Sequence, residues 1–162
     1  MAEQFLATTP QELATRDELL SMSGLEFMQG MRDGKVARPP ISGLLSYAVH
    51  TVEPGRVTFR GTPNFHHTNP MGTVHGGWYG TLLDSAMGCA VMTTVPKGSI
   101  YTTLEYKINI VRAIPLDMEI EASAEVQHAG RSTGVANGWI KGVEDGRLYA
   151  TSSTTCMIMK AT

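Results

Sequence analysis

The feature that most constrains this chain is a stretch from about Gly76 to Val95 that is apolar almost all round. Trp78, Leu82, Leu83, Ala86, Met87, Ala90 and Val91 recur at helical intervals and leave little polar face. A helix of this kind must be enclosed. The chain beyond it alternates: Leu104, Tyr106, Ile108 and Ile110 fall on one side, and Glu105, Lys107 and Asn109 on the other. Met118 to Ala122 repeats the habit, and breaks near Gly130 and Asp145-Gly146 divide the remaining strands. Ahead of the helix, Leu44 to Val52 and Arg56 to Gly61 read as two strands around the turn Glu53-Pro54-Gly55. Short turns between consecutive strands imply antiparallel pairing. The expected class is therefore α+β, an antiparallel sheet curled around one central helix.

The N-terminal part predicts short helices. Thr9-Pro10-Gln11-Glu12 and Ser23-Gly24-Leu25-Glu26 both carry capping-box patterns, and Gly34 suits a stop. Arg38-Pro39-Pro40 reads as a linker that excludes helix. This divides the chain into an extension over 1–40 and one domain over 41–162, a single domain overall. At 162 residues it is long enough to bury a core unaided. A net charge of -2 argues against a nucleic-acid partner. MAEQFLATTP has no signal-peptide pattern and no apolar run is long enough to span a bilayer. Cys89 and Cys156 stand apart in apolar contexts, as reduced core residues of a cytoplasmic protein.

The chemistry-bearing residues lie at the start of the apolar helix. Between Arg60 and Lys97 the only fixed charge is Asp84. A carboxylate there needs a partner or a polar cavity. His75-Gly76-Gly77 opens the helix, where bare backbone N–H groups favour negative charge and suit an oxyanion. Asn69, on a Pro-flanked loop, has an amide free to orient a water or a carbonyl. Each has a plain alternative: Asp84 at a half-exposed helix edge, Gly76-Gly77 for close packing, His75 as a structural histidine. His66 and His67 have no companion ligand, so no metal site is expected. Met71, Met87 and Met92 read as core filling.

Asn69-x-x-Gly72-x-x-His75-Gly76-Gly77, followed by Leu82-Leu83-Asp84, resembles the PaaI-type (phenylacetate-degradation) thioesterases of the hotdog superfamily. Ser23 to Phe27, Thr103-Leu104-Glu105, Asn109 to Arg112 and Asp145 to Leu148 extend the resemblance from about residue 21 onward. It implies a hotdog fold and an acyl-CoA thioesterase acting on an aryl- or medium-chain acyl-CoA. Asp84 then matches the nucleophile or general base, and Gly76 the N–H that polarises the carbonyl. Asn69, His75 and Thr103 match supporting polar positions. Gly77, Arg112 and Arg131 are candidates for substrate contact, the arginines for CoA phosphates. Alternation sets Thr102 as a rival to Thr103 unless the strand is bulged. No metal or organic cofactor is implied. A hotdog acyl-CoA hydratase or dehydratase, and a non-catalytic acyl-CoA binding module, are the alternative functions.

Geometry adds an expectation. Gly76 and Asp84 on one helix lie roughly 12 Å apart, too far to serve one carbonyl. Two antiparallel copies in a twofold dimer bring Gly76 of one chain to Asp84 of the other. The resemblance implies the same shared site, in a homodimer and commonly a homotetramer.

Overall fold

The computed structural model describes residues 4–161. Six antiparallel strands form one sheet in the order β1-β2-β4-β5-β6-β3. They are β1 Tyr47–Glu53, β2 Arg56–Gly61, β3 Ser99–Ile110, β4 Ile120–Ala129, β5 Thr133–Gly142 and β6 Leu148–Lys160. The long helix, Gly76–Met92, is α4 once the short helices ahead of it are counted. It contacts β2, β3, β4, β5 and β6. The sheet curls around it, which is the hotdog architecture.

The curl is a consequence of residue size. Where α4 crosses the sheet, the inner face carries Ala122, Ala124, Ala136 and Ala150, all without exposed surface. These small side chains let the backbone approach Leu82, Leu83, Ala86 and Met87, which are likewise fully enclosed. Truncating Leu82 or Leu83 to alanine costs about 2–5 kcal/mol by the usual cavity effect.

The N-terminal segments belong to the same core. A 3₁₀ turn, Pro10–Glu12, precedes α1 (Arg16–Leu20) and α2 (Gly24–Arg32). The Ser23–Glu26 box forms as expected, with Ser23 N–H on Glu26 at 2.7 Å and Glu26 N–H on Ser23 Oγ at 3.3 Å. The Thr9–Glu12 box starts only the 3₁₀ turn. A third box, Thr15 with Glu18, starts α1. Met28 and Met31 of α2 join the central core beside Met92.

Three boundaries differ from expectation. Residues 38–40 are not helix-free: Pro39, in extended conformation, precedes α3 (Pro40–Leu44) with Pro40 in its first position, where no N–H is needed. The division at residue 41 consequently falls inside α3. Strand β1 starts at Tyr47 rather than Leu44, after Ser46 turns the chain with φ of 53°. Helix α4 ends at Met92 rather than Val95. There the Thr93 and Thr94 hydroxyls donate to the carbonyls of Ala90 and Val91, which caps the last turn. No helix among the described residues is long and apolar enough to cross a membrane.

Candidate active site

The loop before α4 is held by its own polar side chains. Asn69 Oδ1 accepts from the N–H groups of Met71 at 2.9 Å and Thr73 at 3.3 Å, and Nδ2 donates to Thr73 Oγ1 at 2.8 Å. The Asn69 amide is thus not wholly free, as its oxygen and one N–H shape the loop. Buried His67 accepts the Asn64 N–H on Nδ1 at 3.0 Å and donates from Nε2 to the Leu44 carbonyl at 2.9 Å. Both of its ring nitrogens are occupied, and no cluster of three or more metal-ligating side chains occurs among the described residues.

His75 is the N-cap of α4. Its Nδ1 accepts the Gly77 N–H at 2.9 Å, which places the proton of the neutral ring on Nε2. Gly77 therefore has no N–H to offer a substrate. The neighbouring Gly76 N–H has no acceptor among the described residues and lies at the positive end of a 17-residue helix. A Cβ added at Gly76 meets only Ile110 Cδ1, at 3.5 Å.

Strand β3 runs along α4 in the opposite direction. Ile110 faces Gly76, Tyr106 and Ile108 face Gly80, Thr103 faces Asp84, and Tyr101 faces Gly88. The helix partners recur every four residues, one stripe along the helix. Gly80 and Gly88 lack the side chain that would collide with the tyrosines: a Cβ would lie 3.3 Å from Tyr106 Oη and 2.9 Å from Tyr101 Oη. Asp84 is the one charged group in this stripe. Half-buried, it accepts from Thr103 Oγ1 at 3.0 Å.

That hydrogen bond depends on a bulge. Pairing with β6 runs Thr103 to Cys156 and then Glu105 to Thr155, so Leu104 is an extra residue. Below it the odd-numbered Tyr101 and Thr103 face the helix; above it the even-numbered Tyr106, Ile108 and Ile110 do. Thr102 is exposed on the other side. The bulge decides between the two threonines in favour of contact with Asp84 through Thr103.

Thiol and hydroxyl groups withdrawn from water lie near Asp84. Burial, the Asp84 charge and Cys156 push the Cys89 thiol up to about 12. Burial raises the Tyr101 hydroxyl well above its ordinary value, with Cys89, Cys156 and Asp84 adding to the effect. Ser85, next to Asp84, hydrogen-bonds Tyr47 Oη at 3.0 Å. The sequence holds no signal for that pair, because it joins positions 38 residues apart. The two arginines do not converge. Arg112 lies just beyond β3 near the Gly76 end, and Arg131 sits in the β4–β5 turn near the Tyr101 end, roughly 30 Å away along the strand.

The site thus pairs a helix N-terminus carrying an open N–H with a threonine-held carboxylate two turns on. The family model of the thioesterase superfamily matches residues 71–148, which include Gly76, Asp84 and Thr103. Over these residues the chain is similar to the thioesterase superfamily. It is a thioester hydrolase of the hotdog fold, with PaaI-like relatives among the solved structures. A thioesterase family protein from Silicibacter pomeroyi is 29% identical with a TM-score of 0.70, covering 75% of this chain and 90% of that one. A hypothetical thioesterase from Streptococcus pneumoniae, solved with coenzyme A, is 28% identical with a TM-score of 0.67, over 75% and 91%. A phenylacetic acid degradation-related protein from Ralstonia eutropha is 26% identical with a TM-score of 0.74, over 81% and 98%. No curated protein matches.

Proposed function

We propose that this thioesterase hydrolyses acyl-CoA, with Asp84 of one chain and the Gly76 N–H of a second chain acting on the same carbonyl. The observation that carries this reading is the single carboxylate on the β3-facing stripe of α4, oriented by the Thr103 hydroxyl at 3.0 Å. The coenzyme A held by the Streptococcus pneumoniae relative supports the choice of thiol.

The chemistry derives from these groups. The thioester oxygen accepts from the Gly76 N–H at a helix N-terminus, which stabilises negative charge as the carbonyl is attacked. Asp84 takes a proton from a water whose oxygen bonds to the carbonyl carbon. The tetrahedral oxyanion collapses, the carbon–sulfur bond breaks, and CoA leaves as thiolate. Direct attack by the carboxylate, giving an anhydride that water then opens, uses the same two groups. Thr103 positions the carboxylate. His75 and Asn69 act one step back, by holding the helix start and its loop.

Dimerisation is supported by two features. Gly76 and Asp84 are eight residues apart on one straight helix, roughly 12 Å, so one chain does not complete the site. Among the described residues strand β3 is a 12-residue edge paired only with β6, and its edge exposes Leu104, Tyr106, Ile110 and the adjoining Val111. So long an apolar edge calls for a cover. An antiparallel second copy about a twofold axis beside Gly80, the residue midway between 76 and 84, provides it and brings each Gly76 to the other chain's Asp84. Two such dimers form the tetramer that the resemblance implies. Arg112 of one chain and Arg131 of the other then approach the same end of the paired strands, where they can meet CoA phosphates.

Free-thiol release measured across a panel of acyl-CoA esters tests the function. Asp84→Asn keeps the side-chain volume, removes the base, and should cost about 10²–10⁴-fold in rate. Turnover within a few-fold of the parent protein would refute the assignment. Hydration of crotonyl-CoA without thiol release would select the hydratase alternative instead.

A further inference from the structure

Past its first turn, α4 keeps exposed surface only at Thr81, Asp84, Ser85 and Cys89. These positions are three or four apart and share one helix face. They mark the strip of α4 that the curled sheet leaves open. The sheet's two edge strands flank this strip at one level. Asp84 is tied to β3 by Thr103 Oγ1 at 3.0 Å, and Ser85 is tied to β1 by Tyr47 Oη at 3.0 Å. A carbonyl brought to Asp84 from the open side therefore also lies beside Ser85.

The Tyr47–Ser85 pair leaves one proton unspent. Tyr47 is buried, and that burial pushes its hydroxyl above the ordinary value, so the phenol is protonated at neutral pH. Its one acceptor among the described residues is Ser85 Oγ. A buried O–H without an acceptor is destabilising, which makes Tyr47 the donor. Ser85 then accepts, and its own proton has no partner among the described residues. The neighbouring donors are committed: Thr81 Oγ1 to the Gly77 carbonyl at 3.0 Å, Thr103 to Asp84, and the Gly77 N–H to His75. The proposed site thus has one backbone N–H, that of Gly76, for an oxygen that can take a second donor. A twofold axis beside Gly80 sets Gly76 of the second chain level with Asp84, and Ser85 stands roughly 1.5 Å further along the helix.

We propose that the Ser85 hydroxyl is the second oxyanion donor of the site, and that Tyr47 is the positioning residue that holds it with its proton turned to the substrate. The inference rests on the shared-site hydrolase reading and adds a catalytic group to it. No proton is transferred by Ser85. Its O–H and the second chain's Gly76 N–H both donate to the carbonyl oxygen as negative charge builds there, and that charge returns to the carbonyl as the carbon–sulfur bond breaks.

Steady-state thiol release and calorimetric binding of S-butyl-CoA, a thioether with no carbonyl, test this together. Ser85→Ala should lower kcat about 10²–10³-fold, the usual loss for one oxyanion donor, and leave thioether affinity within about twofold. Ser85→Thr keeps the hydroxyl and should recover most of the rate. Tyr47→Phe should lower kcat about 2- to 10-fold in the parent and not at all in Ser85→Ala, because its effect passes through the Ser85 hydroxyl. The double variant leaves no buried hydroxyl unpaired, so it keeps the kcat test available if Ser85→Ala alone folds poorly. A folded Ser85→Ala protein, or double variant, with kcat within about threefold of the parent overturns the proposal. So do equal losses in kcat and thioether affinity. Equal effects of Tyr47→Phe in both backgrounds overturn the role of Tyr47. Asp84→Asn, assayed alongside, separates the two readings: if it is inactive while Ser85→Ala is unimpaired, only the second donor fails, and if it is active, the hydrolase assignment of Asp84 fails.

Discussion

Replacing Thr103 by valine removes one hydroxyl and keeps the side-chain shape. In the structure that hydroxyl donates to Asp84 Oδ1 at 3.0 Å, tying the α4 carboxylate to β3. A hydrogen bond to a charged group contributes about 1.5–3 kcal/mol, which corresponds to about 10- to 150-fold in rate if it is needed in the transition state. The loss should fall on kcat with little change in KM, because Thr103 positions the carboxylate and does not hold the CoA. Thr103→Ser, which keeps the hydroxyl, should recover most of the rate. Thr102→Val is the matched control: Thr102 is exposed on the opposite side of the strand, and its variant should stay within about twofold, the range of an ordinary surface change. The assay is steady-state thiol release with melting temperatures recorded alongside. Full activity in Thr103→Val, or equal losses at 102 and 103, would refute the bulge-dependent geometry.

Gly76→Ala should fold, since its Cβ meets only Ile110 at an ordinary 3.5 Å, yet lose turnover by crowding the carbonyl at the N–H; parent-like kinetics would remove Gly76 from the site. The Cys89 thiol, pushed up to about 12, remains protonated in the folded chain where an unfolded cysteine has already ionised. Its contribution to stability is therefore present below about pH 9 and lost as pH climbs towards 12, by up to about 1.4 kcal/mol per pH unit. Denaturant titrations of the parent protein and Cys89→Ala over that range should show a shallower alkaline decline in the variant; equal slopes would contradict the burial of the thiol.

Legibility in the sequence depends on how local the cause is. The apolar run of α4 and the His-Gly-Gly start give its first residue correctly, because cap and glycines act within a turn. The Ser23–Glu26 box is legible for the same reason. Alternation locates β3 but not the extra residue at Leu104, since a bulge is set by register against β6 and leaves no mark in the β3 sequence itself. The face of Thr103 hangs on that one residue. Asn69 reads as free because its chemistry permits it, whereas the loop around it supplies three partner atoms that only folding brings together. The proline pair at 39–40 reads as a helix barrier, yet proline in a first helical position has no N–H to lose.

The central claim is that each site is built from two chains, and subunit exchange between inactive variants tests it most directly. Gly76→Val and Asp84→Asn are prepared separately, each inactive, then mixed until mass spectrometry shows mixed dimers. A mixed dimer holds one site with both defects and one with neither. Random exchange makes half the dimers mixed, and each restores one of two sites, so activity should return to about one quarter of the parent level. Mixed dimers that form and remain inactive would show that Gly76 and Asp84 serve the same chain's site, and the shared-site account would be wrong.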